Sequence, residues 1–233
     1  MSSMIRWPNK KTFKSYAVAS VQLTVVFVVL YGFSNSLAAQ RTDTYQLWMN
    51  WELAIPLVPS MIAVYLSLNL LTLLPLFTLE SNQIQALGKG MVISTFIAAF
   101  FFLVFPAHAG FTRTTDVGFW APAFEILFSL DHTANTFPSL HITYSFLIVR
   151  AISTVHSRMN TFLHLWFFLI VFSVLLIHQH HVIDIVGGIL LAELCCRRYF
   201  LQQKITKAPL ENSAPDTELS QSPPANSEDS ARS

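Results

Sequence analysis

A chain of 233 residues that is 53% hydrophobic and only 12% charged departs from soluble domains, which run about 45–50% apolar and about 25% charged. Its formal net charge of +1, without a basic stripe or recognition motif, gives no case for a nucleic-acid partner. The only two cysteines, Cys195 and Cys196, are adjacent, which excludes a disulfide framework. They read as two small apolar residues at a helix end, juxtamembrane palmitoylation being the other use of such a pair.

The apolar residues come in blocks of bilayer length and not as an amphipathic stripe, the pattern of membrane-spanning helices. In chain order the blocks are 15–37, 53–77, 90–106, 138–153, 159–178 and 183–200. The expected fold is therefore an all-α membrane protein, a bundle of six transmembrane helices. Residues 1–14 form a short basic cytoplasmic segment, 15–207 one membrane domain, and 208–233, rich in Ser, Pro, Asn, Asp and Glu, a disordered cytoplasmic tail. The small-residue stretch Ser36-Leu37-Ala38-Ala39 also gives the first block the look of a signal peptide. Its cleavage would leave the orientation of the other spans unchanged. The longest loop, 107–137, lies between spans 3 and 4, and loops of that length usually serve function. Its 119–130 stretch reads as an outer interfacial or re-entrant helix with Glu125 on one face.

With the N-terminus in the cytoplasm, that side collects Arg6, Lys10, Lys11, Lys14, Lys89, Arg150, Arg158, Arg197, Arg198, Lys204 and Lys207. The opposite side holds only Arg41 and Arg113. This follows the positive-inside bias and faces the starts of spans 4 and 6 to the periplasm, lumen or exterior. Both starts carry polar clusters: Phe137-Pro138-Ser139-Leu140-His141, and His180-His181-Val182-Ile183-Asp184. The histidines at 141 and 180 are 39 positions apart, about two crossings at roughly 20 residues each, so both clusters open on one side. Ionisable residues within apolar helices are expensive and mark function.

Pro138 suits the first turn of a helix, with Asn135 or Thr136 as capping residues. That arrangement puts Ser139, Leu140 and His141 in the first turn, where free amides and the helix dipole favour an anion. His180 and Asp184 stand at i and i+4, so that on a helix the carboxylate holds one imidazole nitrogen and leaves the other free for attack. Each cluster alone has a plain structural reading, a capped helix start or a His–Asp staple. Together they supply a nucleophile, a proton donor and an anion site, the parts that phosphoryl transfer through a phosphohistidine needs without a metal. Gly187 and Gly188 allow close approach of a neighbouring helix.

Pro138-Ser139-Leu140-His141 and His180-x-x-x-Asp184-x-x-Gly187 resemble the second and third motifs of the type 2 phosphatidic acid phosphatase superfamily. The string from Asn135 to His141, with Asp131 ahead of it, most resembles the branch of inositol phosphorylceramide and sphingomyelin synthases. The resemblance runs from Ile55 to Glu193. It implies that His180 attacks phosphorus, Asp184 orients it, His141 protonates the leaving group, and Ser139 with nearby amides, that of Leu140 among them, holds phosphate oxygens. It also implies a membrane-embedded lipid phosphatase or phosphotransferase, with a lipid phosphate as substrate and an alcohol or lipid as possible acceptor, and with no cofactor or metal. The chain lacks the family's Lys-x6-Arg-Pro first motif, and Val174 stands where an arginine is expected, beside a matching Ser173. Arg113 is the best substitute cation, with His181 and His178 behind it. The lack of the first motif leans towards a transferase.

His132 precedes the anion site, His156 and His164 suit packing or the interface, and Glu193 is expected to pair with a neighbouring helix. Two other classes compete. A membrane di-iron hydroxylase is suggested by His178-Gln179-His180-His181, but it needs several histidine boxes on the cytoplasmic side. A transporter, channel or haem bundle would leave the helix-start site idle, and no inverted repeat supports a transporter.

Overall fold

In a computed structural model of the chain, residues 6–38, 41, 43–130 and 135–199 are described. Asp131, His132 and the expected tail 208–233 lie outside them. The described residues are helical, and their one extended pairing is an isolated bridge between Tyr45 and Ala107. The α-helices are α1 Lys10–Ala38, α2 Met61–Leu66, α3 Leu68–Thr78, α4 Ser81–Val104, α5 Ala121–Leu130, α6 Leu140–Ser153, α7 Asn160–Leu176 and α8 Val182–Tyr199.

Four stretches are long and apolar enough to cross a membrane: Lys10–Ser34, Met61–Thr78 (α2 with α3), Ser81–Val104 and Ser157–Leu176. The other two expected spans differ in kind. α6 has 14 residues, about 21 Å at 1.5 Å per residue, against a hydrocarbon core of about 30 Å. α8 carries Asp184 in its first turn and Arg197 and Arg198 in its last. Long apolar helices expose hydrophobic side chains where a water-soluble protein carries charge. Val21, Val25, Val28 and Val29 on α1, and Phe162, Leu165, Phe168 and Phe172 on α7, are all exposed, as side chains facing lipid are.

α4 begins nine residues before the apolar block that announced it. Glu80 caps it, its backbone N–H donating to the side chain of Gln83 at 2.8 Å, a reciprocal cap that satisfies end amides. Its polar first turns are used in packing, since Ser81 is buried and bonded to Ser15 of α1. The second block starts late for the opposite reason. Pro56 and Pro59 hold 55–59 out of helical structure, as residues before proline avoid the helical region. A short 3-10 turn, Asn50–Ala54, precedes them. α5 confirms the expected helix in the long loop, with Phe124 and Leu127 buried and Glu125 exposed.

The core draws on α2 to α8, with Ile62, Leu71, Phe124, Ile142, Leu147, Ile152, Leu163 and Ile170 completely or almost completely buried. Cys195 and Cys196 are free thiols inside it, as the plain reading of that pair expected. His156 donates from Nε2 to the Thr78 carbonyl, tying the ends of α6 and α3 together. His164 bonds its own helix at Asn160. Glu193 is only half-buried and pairs with Arg197 at 3.0 Å and Arg150 of α6 at 3.9 Å.

Candidate active site

Both polar clusters meet at one end of the bundle. Ser139 is the N-cap of α6, and its Oγ accepts the Ile142 amide at 3.4 Å. This moves the helix start two residues on from the expected position: Pro138 precedes the cap, and capping falls to Ser139 and not to Asn135 or Thr136. The cap is locked to the other cluster, because the Ser139 amide donates to the Asp184 carbonyl at 3.1 Å. Thr143 Oγ1, one turn down, donates to both the Ser139 and Gly188 carbonyls. Ser139 and Leu140 are buried.

The two glycines of α8 make this contact possible. A Cβ on Gly188 would stand 2.7 Å from the Ser139 carbonyl oxygen, and one on Gly187 would run into the Phe137 ring. The packing role expected of them holds, with the start of α6 as the partner.

His180 and Asp184 do meet, Nδ1 to Oδ2 at 3.5 Å, but not across a helix face. α8 starts at Val182, so His180 lies in the turn before it. Asp184 reaches back from the first turn, where its Oδ2 also accepts the His181 amide at 2.9 Å. An acidic side chain in a first turn satisfies free amides and favours the dipole, so the carboxylate is fixed by the helix start. The turn is held from behind by the Val174 carbonyl, which accepts the amides of both Gln179 and His180.

The His141 and His180 rings lie 5.8 Å apart between centroids, at 57°. His141 Nε2 is bonded to the Tyr65 hydroxyl at 2.5 Å, with the two rings 4.6 Å apart. Tyr65 comes from α2 and is 4% exposed, so this polar pair is closed from bulk solvent on that side.

His181 is engaged at both nitrogens. The Gly110 amide donates to Nε2 at 3.1 Å, so the ring proton is on Nδ1, which donates to Glu52 Oε2 at 2.8 Å. Glu52 is fully buried and also accepts the amides of Val182 and Met49. Phe111 is stacked between His181 and His178, at 4.3 and 4.1 Å, each within 6° of parallel, and Trp48 covers the outer face of His181 at 5.7 Å. His178 adopts φ +61° and donates from Nε2 to the Ile55 carbonyl at 2.9 Å.

Burial pushes the pKa of both His178 and His181 down, outweighing for His181 the opposing pull of Glu52. Neutral imidazoles do not replace missing phosphate-binding cations, and His181 serves instead as a clamp between the 3-10 turn, the long loop and α8. Arg113 packs its guanidinium over Phe128 of α5 at 4.7 Å, two residues along the loop from Phe111. Arg41, the other arginine expected on that side, is taken up by Asp43 and the Leu103 carbonyl.

Sequence reasoning missed Glu52, Tyr65 and Gln179. Glu52 left a signal, an acid at the very edge of an apolar block, which membrane energetics marks as purposeful. Gln179 is 4% exposed, and its side-chain carboxamide has no hydrogen bond among the described residues.

Residues 53–196, which hold both histidine clusters and Tyr65, match the family model of the PAP2 superfamily. The chain belongs to the PAP2 superfamily. Proteins of this superfamily generally carry phosphatase or phosphotransferase activity. Glu52 and Trp48, like α1, fall just outside the matched stretch, whereas every expected catalytic residue falls inside it. A comparison with curated proteins gives no match. Membership is thus shown at the level of the superfamily and not of the synthase branch.

Two expected outcomes concern the clamp. Replacing Glu52 by Ala leaves the His181 Nδ1–H and two amides without their acceptor. Leaving three buried donors unsatisfied costs about 1–3 kcal/mol each, at least about 3 kcal/mol together, and each kcal/mol shifts Tm by roughly 2–4 °C in a chain of this size. Thermal unfolding in detergent should fall by at least about 6 °C, and an unchanged midpoint would refute the clamp. The second outcome is pH dependence. A histidine whose folded pKa lies below its unfolded value of 6.5 stabilises the fold fully above about 6.5 and less as pH falls below it. Unfolding midpoints should therefore drop between pH 7.5 and 5; a rise on acidification would give the wrong sign.

Proposed function

We propose that this PAP2-superfamily member is a lipid phosphatase or phosphotransferase that forms a phosphohistidine on His180, at the non-cytoplasmic face of a six-span bundle. The observation that carries the reading is the meeting of two histidines from separate helix starts, 5.8 Å apart between ring centroids, with Asp184 3.5 Å from one of them. That gap suits two imidazoles flanking one phosphate, given hydrogen-bond lengths of about 3 Å and attack distances of roughly 3–3.5 Å.

In the first step His180 Nε2 attacks phosphorus and the bond from phosphorus to the leaving oxygen breaks. Asp184, 3.5 Å from Nδ1, closes on its N–H as the ring acquires charge and stabilises that charge. His141 gives its proton to the departing alkoxide and becomes the base for the second step. Water or an acceptor alcohol then loses a proton to His141 and attacks phosphorus, which frees His180. Tyr65 holds His141 Nε2 until substrate arrives. Ser139 and Leu140 contribute through the start of α6, whose dipole favours the phosphate. Arg113, from the outer loop, supplies positive charge to the phosphate.

A phosphodiester such as phosphoinositol or phosphocholine headgroup donors is preferred over a phosphomonoester, because the first-motif cations are missing and His178 and His181 are neutral. This is the feature that favours the inositol phosphorylceramide or sphingomyelin synthase branch. Purified protein should be incubated with lipid phosphates and phosphodiesters, with and without acceptor alcohols, and with chelator throughout. Products read by mass spectrometry should show release or transfer of the phosphoryl moiety undiminished by chelator. Activity that appears only on adding a divalent metal would overturn the mechanism.

A further inference from the structure

At the end of the bundle away from His141 and His180, we propose a binding site for an anionic phospholipid, formed between α1 and α4. The two ends are opposite because Tyr65, which touches His141, is 13 residues above Thr78, about 20 Å along α2 and α3. α4 starts just after Thr78, and the Arg6 amide bonds the Phe77 carbonyl beside it.

A cleft of about 420 Å³ lies there, lined by Lys11, Lys14 and Lys89, within the range of small-molecule pockets. Its polar floor is a bonded network: Ser15 Oγ to Ser81 Oγ at 2.6 Å, and Gln85 Nε2 to Ser15 Oγ at 3.1 Å. Among the described residues no carboxylate lines the cleft. The acid nearest in sequence to α4, Glu80, is paired with Arg6 at 3.6 Å, and none of the three lysines has an ion pair among the described residues. Three like charges gathered from two helices repel one another unless an anion sits among them.

The positive-inside bias explains lysines at this end but not their convergence on one cleft. Nor does it explain what lies above them. Val18 lines the cleft, and Val18, Val21, Val25 and Val28 follow one another along α1, all exposed. Their spacing of i, i+3, i+7 and i+10 places them on one helix face. A phosphate among the lysines would therefore have its hydrocarbon chain against this stripe, the chemistry of an amphipathic anion and not of a free one. Basic pockets between membrane helices bind anionic headgroups in this manner. α1 lies outside the region that matches the superfamily, and the site is independent of the reaction proposed above.

The test is native mass spectrometry of the full chain in detergent with equal amounts of dioleoyl phosphatidylglycerol and dioleoyl phosphatidylcholine. Phosphatidylglycerol should be retained preferentially, with retention falling as salt rises. The triple variant K11Q/K14Q/K89Q should lose about fivefold per lysine, roughly a hundredfold in all, with an unchanged melting midpoint as the sign that it folds. Equal retention by variant and wild type, or equal retention of the two lipids, would overturn the proposal. Excess glycerol phosphate should not displace the lipid; displacement would point to a free-anion site. Residues 208–233 carry Glu211, Asp216, Glu218, Glu228 and Asp229 and are the rival occupant. Their removal should leave retention unchanged, whereas a several-fold gain would assign the cleft to the chain's own tail.

Discussion

His180→Ala should abolish turnover and covalent labelling together, while leaving the fold intact. In the proposed mechanism the side chain bears on the rate and not on the architecture: its Nδ1 has no hydrogen bond and only the 3.5 Å approach of Asp184. Deleting it therefore removes little that holds α8, whose start is fixed by Asp184 and Glu52. Without it no phosphoenzyme forms, and the residual rate falls to whatever positioning alone provides. Asp184→Asn should slow the enzyme less, by mis-setting the His180 tautomer. Because Oδ2 also caps the His181 amide at 2.9 Å, this variant should melt somewhat lower as well. Wild-type activity in His180→Ala would remove the phosphohistidine from consideration.

His141→Ala should cost a factor of about 10²–10⁴ in kcat, the usual worth of a general acid, but only where the leaving group needs a proton. A nitrophenyl phosphate ester, whose phenolate departs unassisted, should lose far less. Tyr65→Phe offers the contrast. Its hydroxyl touches His141 and not phosphorus in the proposed arrangement, and hydrogen bonds to charged groups are worth about 1.5–3 kcal/mol, so a loss of roughly 10–100-fold is expected. The pH profile of kcat should move with it, since the bond fixes the environment of the acid. Equal losses for both substrates in His141→Ala would mean that His141 binds and does not donate.

How much of this was legible in the chain depends on how local each signal is. The apolar blocks located α1, α7 and the α2–α3 pair because hydrocarbon demands continuous apolar length. The start of α4 was hidden because Ser81, Gln83 and Gln85 look like a loop until α1 is seen packed against them. The contact between His180 and Asp184 was foreseen from their spacing, yet it arises from a carboxylate at a helix start reaching back to the preceding turn. Similarly, Ser139 was read as part of the first turn when it is the cap itself. The partners of Glu52 and Tyr65 were out of reach, since they are 129 and 76 positions away and no spacing rule spans such distances. For the same reason His181 passed for a phosphate ligand, because only the fold shows Glu52 and the Gly110 amide occupying its two nitrogens.

The nucleophile is tested most directly by quenching the enzyme with substrate under alkaline conditions, digesting it and mapping the label by mass spectrometry. A phosphohistidine mechanism predicts the phosphoryl group, or the phosphorylated headgroup, on a ring nitrogen of His180, stable in base, lost in acid and absent from His180→Ala. A label on Ser139, or turnover with no label on His180 at any quench time, would contradict it.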